Sequence, residues 1–294
     1  MNLWFYALLV FLGGCSYGVV STFVKLGYAA GFGVNALTGS QYLLGALLLW
    51  ILASFVPKSP LRKKNWAVLL LSGTPMGLTG IFYNYALSYI NASFAIILLL
   101  QFTWVSMILQ YVFDKKAPTS KQLVAAAIIM VGSLLASGVA ESTIAFSGLG
   151  ILFGLLAAVS FSFFIFFSGR TSISIHPIRK SAIMTTGAAL LIFIVMPPTF
   201  MVEELVSTHL WMYGLLMGLF GSLLPPILFN IGMPKVGGNL GAILSASELP
   251  TAVFMSTFVL HESVASIQWM GVILILVGIA FPSLKRKERY EVRL

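Results

Sequence analysis

Ten stretches of mostly apolar residues follow one another along this chain. Each is close to the ~20 residues a helix needs to cross the hydrocarbon core of a bilayer. They run over 3–28, 35–56, 66–87, 91–113, 121–139, 147–168, 179–201, 209–232, 237–260 and 265–283. Short loops and a C-terminal tail make up the remainder, so no soluble domain fits. Composition agrees. Hydrophobic residues are 59% of the chain and charged residues 9%, against about 25% charged in soluble proteins. With so little polar cover the chain cannot hide its apolar surface from water, and its expected solvent is lipid. The expected fold is an all-α polytopic membrane protein of ten transmembrane helices.

The net charge of +9 is distributed very unevenly. With the N-terminus placed inside the cell, the inner loops hold Lys58, Arg62, Lys63, Lys64, Lys115, Lys116, Lys121, Arg170, Arg179, Lys180 and Lys235, and the tail holds Lys285, Arg286, Lys287, Arg289 and Arg293. Sixteen of the seventeen cations then lie on one side, and Lys25 alone lies on the other. That is the pattern of a membrane protein with both termini in the cytoplasm. Glu141, Glu203, Glu204 and Glu262 fall outside. Trp4, Trp66, Trp211 and Trp269 open stretches and Trp50 lies near the end of one, at the depth of an interfacial aromatic belt. The charge thus reads as a topological signal and not as a nucleic-acid surface. Cys15 follows Leu12-Gly13-Gly14, as at a lipoprotein cleavage box, but no Lys or Arg precedes it and the apolar run continues past it. It reads as a small residue within a helix.

The ten stretches divide into two sets of five. Tyr83-Asn84-Tyr85-Ala86-Leu87 matches Phe229-Asn230-Ile231-Gly232-Met233, 146 positions on. Ala95-Ile96-Ile97-Leu98 through Gln101 matches Ala242-Ile243-Leu244-Ser245 through Glu248, 147 on, and Val131-Gly132 matches Val277-Gly278, 146 on. Gly13-Gly14-Cys15-Ser16-Tyr17 matches Ala157-Ala158-Val159-Ser160-Phe161, 144 on. Four matches in one order at a nearly constant offset indicate duplication. An odd number of spans per half makes the second half enter from the opposite side. Such inverted repeats build transporters, because the halves can exchange inward-open and outward-open shapes around a midplane site. The expected units are 1–140, 147–284 and a basic cytoplasmic tail, 285–294.

On these residues the chain resembles the EamA branch of the drug/metabolite transporter superfamily. The resemblance rests on the duplication, on Tyr85-Ala86-Leu87 entering Ala92-Ser93, on Ser247-Glu248-Leu249-Pro250, on His261-Glu262, and on Gly271 to Gly278. The first half departs from it: Gln101 and Thr103 stand in place of Glu248 and Pro250, and Asp114-Lys115 in place of His261-Glu262. The resemblance implies a multi-pass transporter of the cytoplasmic membrane that moves small metabolites through a central cavity between the halves, with a leaning toward export of amino acids, other metabolites or drugs.

Glu248 is the one carboxylate inside a stretch and away from both ends. A charge at the centre of a membrane helix costs about 2.5–3.5 kcal/mol on insertion scales, so it usually faces a cavity or a partner. Three roles are open to it: carrying a coupling proton, pairing with a cationic group on the solute, or holding a gate. The structural alternative ties it to backbone freed by Pro250, which leaves the Ala246 carbonyl without its donor. Asn84 and Asn230 are equivalent in the two halves and serve either a polar solute or interhelical hydrogen bonding. Gln101 and Trp104, three residues apart, share a helix face and suit either a cavity wall or helix packing. Ser245, Ser247, Tyr83, Gln41 and Tyr42 are further candidates. Pro75, Pro225, Pro226 and Pro250 mark expected bends, at a hinge or gate. Gly73 with Gly77, and Gly214 with Gly218, permit close helix packing. Lys25 reads as a snorkelling cation or as part of an outer vestibule.

No cofactor is expected. His176, His209 and His261 have no second ligand at metal spacing, and no Walker-type loop appears. Three readings remain open: a secondary transporter or facilitator of small solutes, an intramembrane enzyme, and a channel or receptor. The enzyme would need a nucleophile and base at membrane depth. The channel would need a carbonyl or charged filter. The transporter is the leading one, and it is no enzyme.

Overall fold

The computed structural model describes residues 3–58, 60–90, 92–137, 147–170, 173, 175–200, 209–261 and 263–282. Glu141, Glu203, Glu204, Glu262 and the tail 285–294 lie outside them. Among the described residues the regular elements are all helical: α1 (Leu3–Ala29), α2 (Val34–Ser54), α3 (Lys63–Tyr89), α4 (Ala92–Leu100), α5 (Phe102–Asp114), α6 (Ser120–Ala136), α7 (Gly148–Arg170), α8 (Pro177–Val195), α9 (Leu210–Met217), a π-helical turn (Gly218–Leu223), α10 (Leu224–Val236), α11 (Gly238–Ser245), α12 (Glu248–Phe258) and α13 (Ser266–Ala280).

Seven helical segments are long and apolar enough to cross a membrane, counting Phe94–Asp114 and Leu210–Val236 as continuous. The fifth and tenth stretches form shorter apolar helices, Ser120–Ala136 and Ser266–Ala280. The ninth is divided into α11 and α12. The bundle is apolar outside, and its largely apolar interior also buries polar side chains. Leu8, Ile51, Leu71, Leu134, Ile194 and Ile273 are exposed, while Thr38, Ser40, Thr103, Ser162, Thr185 and Ser245 are fully buried. This is a multi-pass membrane protein.

The two halves do not form separate bodies, because the main packing crosses between them. α1 packs on α10 and α12, and its counterpart α7 packs on α3 and α5. α2 packs on α8, and α6 on α13. α2 also runs along α9 and the π turn, as α8 runs along α3. Glycines bring these crossings to backbone contact: a Cβ on Gly73 would overlap the Met184 backbone, and one on Gly187 the Leu70 backbone. Gly45 and Gly218 make the matching approach, with a Cβ on Gly218 falling 2.9 Å from the Gly45 nitrogen. This is the close small-residue packing that replaces the hydrophobic effect in lipid.

Cations gather at one end of the bundle. There Arg170, ending α7, meets Asp114, ending α5, at 3.0 Å, and the buried Lys180 donates to the Ser168 carbonyl at 3.2 Å. We call this the basic end. Trp50 and Trp66 stack 6.1 Å apart, and the Trp50 indole donates to Thr186 Oγ1 at 2.9 Å.

The prolines disturb their helices in different ways. α3 runs through Pro75 without a break, because the Thr74 hydroxyl donates to the Leu71 carbonyl at 2.8 Å, the one whose helical donor Pro75 lacks. Before Pro225-Pro226 the helix loosens into the π turn. Two of its carbonyls, Phe220 and Ser222, accept instead from Ser16 Oγ at 2.6 Å and Thr185 Oγ1 at 3.2 Å. Both donors sit on neighbouring helices, Ser16 in the first half and Thr185 in the second, so the irregularity is held by contacts from both halves.

Candidate functional site

Two breaks occupy equivalent places in the two halves. Between α4 and α5 the chain turns at Gln101; between α11 and α12 it turns at Ala246–Ser247. In the second break Pro250 has no N–H for the Ala246 carbonyl, which accepts from Leu249 N at 3.4 Å instead. The result puts Glu248 in the first turn of α12. There the helix dipole offsets part of the cost of a negative charge. α1 presses on the same break: a Cβ at Gly14 would lie 2.7 Å from the Ser245 carbonyl, and one at Gly18 would overlap the Glu248 carbonyl. Ser247 Oγ donates to Phe11 O at 2.7 Å. The glycines of α1 therefore seat the break, and the break sets Glu248.

The Glu248 carboxyl faces a central cavity of 70 Å³ lined by Tyr17, Val20, Ser21, Val24, Gln41, Tyr42, Met76, Thr79, Gly80, Tyr83, Asn84, Leu99, Phe161 and Glu248. Glu248 is 7% exposed. Among the described residues no hydrogen bond holds its carboxyl. The Tyr17 hydroxyl, also buried in this cavity, has no hydrogen-bond partner among the described residues. A carboxyl and a phenol thus stand beside aromatic and aliphatic walls. Among the described residues no Lys, Arg or His lines the cavity.

Toward the end opposite the basic one, Ser21 and Tyr83 also line a wider vestibule of 410 Å³, with Lys25, Ser137, Ser256, Ser263 and Gln268. Tyr17, Ser21 and Lys25 are spaced four apart, so one face of α1 leads from the central cavity to the vestibule. Lys25 thus lines the vestibule. Toward the basic end lies a floor of packed rings. Tyr17 meets Phe161 edge-on at 5.3 Å, Phe102 meets Phe161 at 4.8 Å, and Phe164 stacks on Phe229 at 5.9 Å.

The structure brings together some of the residues singled out from the sequence and separates others. Glu248, Asn84 and Tyr83 line the cavity, as do Gln41 and Tyr42. Asn84 Nδ2 donates to Thr38 Oγ1 at 2.6 Å, and the Tyr42 hydroxyl to Met76 O at 2.8 Å. Asn230 does not reach the cavity; it is buried beside α8, where Nδ2 donates to Ser181 Oγ at 2.9 Å. Gln101 and Trp104 do share a face, with Trp104 Nε1 donating to Gln101 Oε1 at 2.6 Å. Gln101 Nε2 turns back to Ile97 O at 3.1 Å and Trp104 is 39% exposed, so this pair lies away from the cavity. Ser245 donates to Gly241 O at 2.9 Å and packs under α1. Pro75, Pro225 and Pro226 stand in α3 and just after the π turn, and Pro250 stands two residues past Glu248. Among the described residues no group of three or more His, Cys, Asp or Glu gathers.

Sequence reasoning used Tyr17 and Phe161 only as repeat markers and passed over Ser21 and Thr79. The signal was present: Tyr17 and Phe161 are equivalent, and Tyr17, Ser21 and Lys25 recur at helical spacing.

An apolar-surfaced helical bundle that buries a carboxyl against a small central cavity defines the class, a polytopic membrane protein. The chain belongs to the EamA-like transporter family, whose profile matches residues 4–138 and again 148–284. It is a membrane transporter of small solutes. No curated protein matches it. A solved structure described only as "Crystal structure of protein" shares the fold, with a TM-score of 0.73 and 16% identity over 94% of this chain and 98% of that one.

Proposed function

We propose that the protein is a secondary transporter or facilitator that exports small organic metabolites, amino-acid-like solutes or drugs, across the cytoplasmic membrane by alternating access. The reading includes ten spans in two inverted sets of five, over 1–140 and 147–284, with both termini and the 285–294 tail in the cytoplasm. The gathering of cations at one end supports that orientation, and the family leaning supports export.

One observation carries the mechanism. The Glu248 cavity adjoins a vestibule at one end, with Ser21 and Tyr83 lining both, and is floored by packed rings at the other. A central site nearer to one side than to the other supports one of the two states alternating access requires. In this reading Glu248 binds either the ammonium of a solute or a coupling proton, Tyr17 and Asn84 orient the polar end, and Phe161 and Tyr83 flank the apolar body. A cation over aromatic faces gains further attraction.

The test is a thermal-stability screen of the purified protein against amino acids, nucleobases, sugars and cationic drugs. A ligand at about 100 times its Kd stabilises the fold by roughly 2.7 kcal/mol, a shift of a few degrees. Ligands carrying an amine should stabilise the wild type and lose that effect in Glu248→Gln. A ligand equally stabilising in both proteins would remove Glu248 from the site.

A further inference from the structure

A second cavity, of 570 Å³, lies at the basic end and does not reach the centre. Its lining includes Gln110, Lys116, Thr119, Gln122 and Gly238. The internal repeat relates it to the open vestibule. Gln122 and Gln268, 146 positions apart, line one cavity each and make the same bond: Gln122 Oε1 accepts from Thr119 N and Gln268 Oε1 from Ala265 N, both at 2.9 Å. Gln110 and Ser256, also 146 apart, line one cavity each. The two cavities are one place occurring twice, each lined from both halves.

The difference between them is what lies inward. On the vestibule side Tyr83 lines both vestibule and centre. Its equivalent in the other half is Phe229, 146 positions on, which is fully buried and meets Tyr17 at 6.0 Å and Phe164 at 5.9 Å. Farther out, the buried Gln110 amide packs on Gly238, where a Cβ would lie 3.0 Å from Gln110 Cγ. Among the described residues this amide has no hydrogen-bond partner, so packing alone holds it in place.

We infer that the basic-end cavity is the second mouth of the solute path, closed here by Phe229 and by Gln110 on Gly238. The inference rests on the transporter reading and adds its missing half. When the carrier switches, Phe229 takes the position relative to the path that Tyr83 holds now, and Tyr83 packs into the rings.

Two arms test it, both in a Cys15→Ser background. In the first, single cysteines replace Tyr83 or Phe229, and a membrane-impermeant quaternary-ammonium methanethiosulfonate is applied to each face of sealed vesicles. Cys at 83 should react from the Lys25 face, and Cys at 229 from the face of Lys116 and Lys121, more slowly. No reaction at 229, or reaction from the Lys25 face, overturns the inference. The second arm guards against Phe229→Cys failing to fold. In Gln110→Cys/Gly238→Cys the Cβ atoms stand near the ~3.8 Å a disulfide needs. Oxidation should cut phenethylamine counterflow at least tenfold and reduction should restore it; a pair that does not cross-link, or that exchanges unchanged when oxidised, overturns the inference. A reduced protein and a Cys15→Ser parent that both exchange nothing count against the transporter reading, and the labelling arm still decides the mouth.

Discussion

Tyr17 and Phe161 meet edge-on with ring centroids 5.3 Å apart, and they are the same residue of the two repeats, 144 positions apart. In the proposed inverted arrangement, a contact between equivalent residues falls on the pseudo-twofold axis relating the halves. Both rings line the cavity that holds Glu248, so in that arrangement the axis passes through the site. That is where a carrier built of inverted halves needs its solute. Tyr17 differs from Phe161 by one hydroxyl, and that hydroxyl is buried without a hydrogen-bond partner among the described residues. Tyr17→Phe should leave stability unchanged or raise it, since it removes an unsatisfied buried polar atom, and should weaken the best ligand several-fold. Thermal unfolding with and without that ligand separates the two effects.

Glu248→Gln keeps the shape of the side chain and removes its charge. The variant should fold and be at least as stable as the parent, because an unpaired buried charge is gone. Its transport should fall by an order of magnitude or more, the ~1.5–3 kcal/mol of a charged hydrogen bond, and should no longer vary with pH between 5 and 9. Proteoliposome uptake across that range checks it. Full transport with unchanged pH dependence would end the coupling role.

The two asparagines separate cavity from scaffold. Each donates to a hydroxyl on the preceding span, Asn84 to Thr38 and Asn230 to Ser181, and interhelical bonds of this kind are worth about 0.6 kcal/mol on average. Both alanine variants should lose a little stability. Asn84→Ala should also lose ligand affinity, because Asn84 lines the cavity, and Asn230→Ala should not. Titrations by thermal shift decide between them.

Gly73→Ala forces a methyl onto the Met184 backbone, which cannot rotate away. The expected cost is about 1–3 kcal/mol of overpacking or more, with a matching fall in melting temperature. Gly148→Ala meets nothing within 4 Å and should be neutral.

Part of this arrangement was legible in the residues. The constant offset tying Tyr83-Asn84 to Phe229-Asn230 marks the two repeats that the family profile matches, and Glu248, isolated in the sequence, lines the central cavity. Other features were not legible, for physical reasons. Pro75 and Pro225 look alike in sequence, yet a threonine one residue earlier keeps α3 continuous, while the second site opens into a π turn that Ser16 and Thr185 support from distant helices. Gln101 and Trp104 suggested a cavity wall, but helix spacing fixes which residues share a face and not the direction of that face. The fifth and tenth stretches gave short helices, because apolar length alone does not report where a helix starts and stops.

The central claim is that a small solute crosses by way of the Glu248 cavity. Counterflow in liposomes tests it most directly, with phenethylamine preloaded inside and labelled phenethylamine outside. The account predicts a transient, saturable accumulation of label that disappears in Glu248→Gln. Unsaturable flux, conductance far above carrier rates, or accumulation undiminished in Glu248→Gln would contradict it.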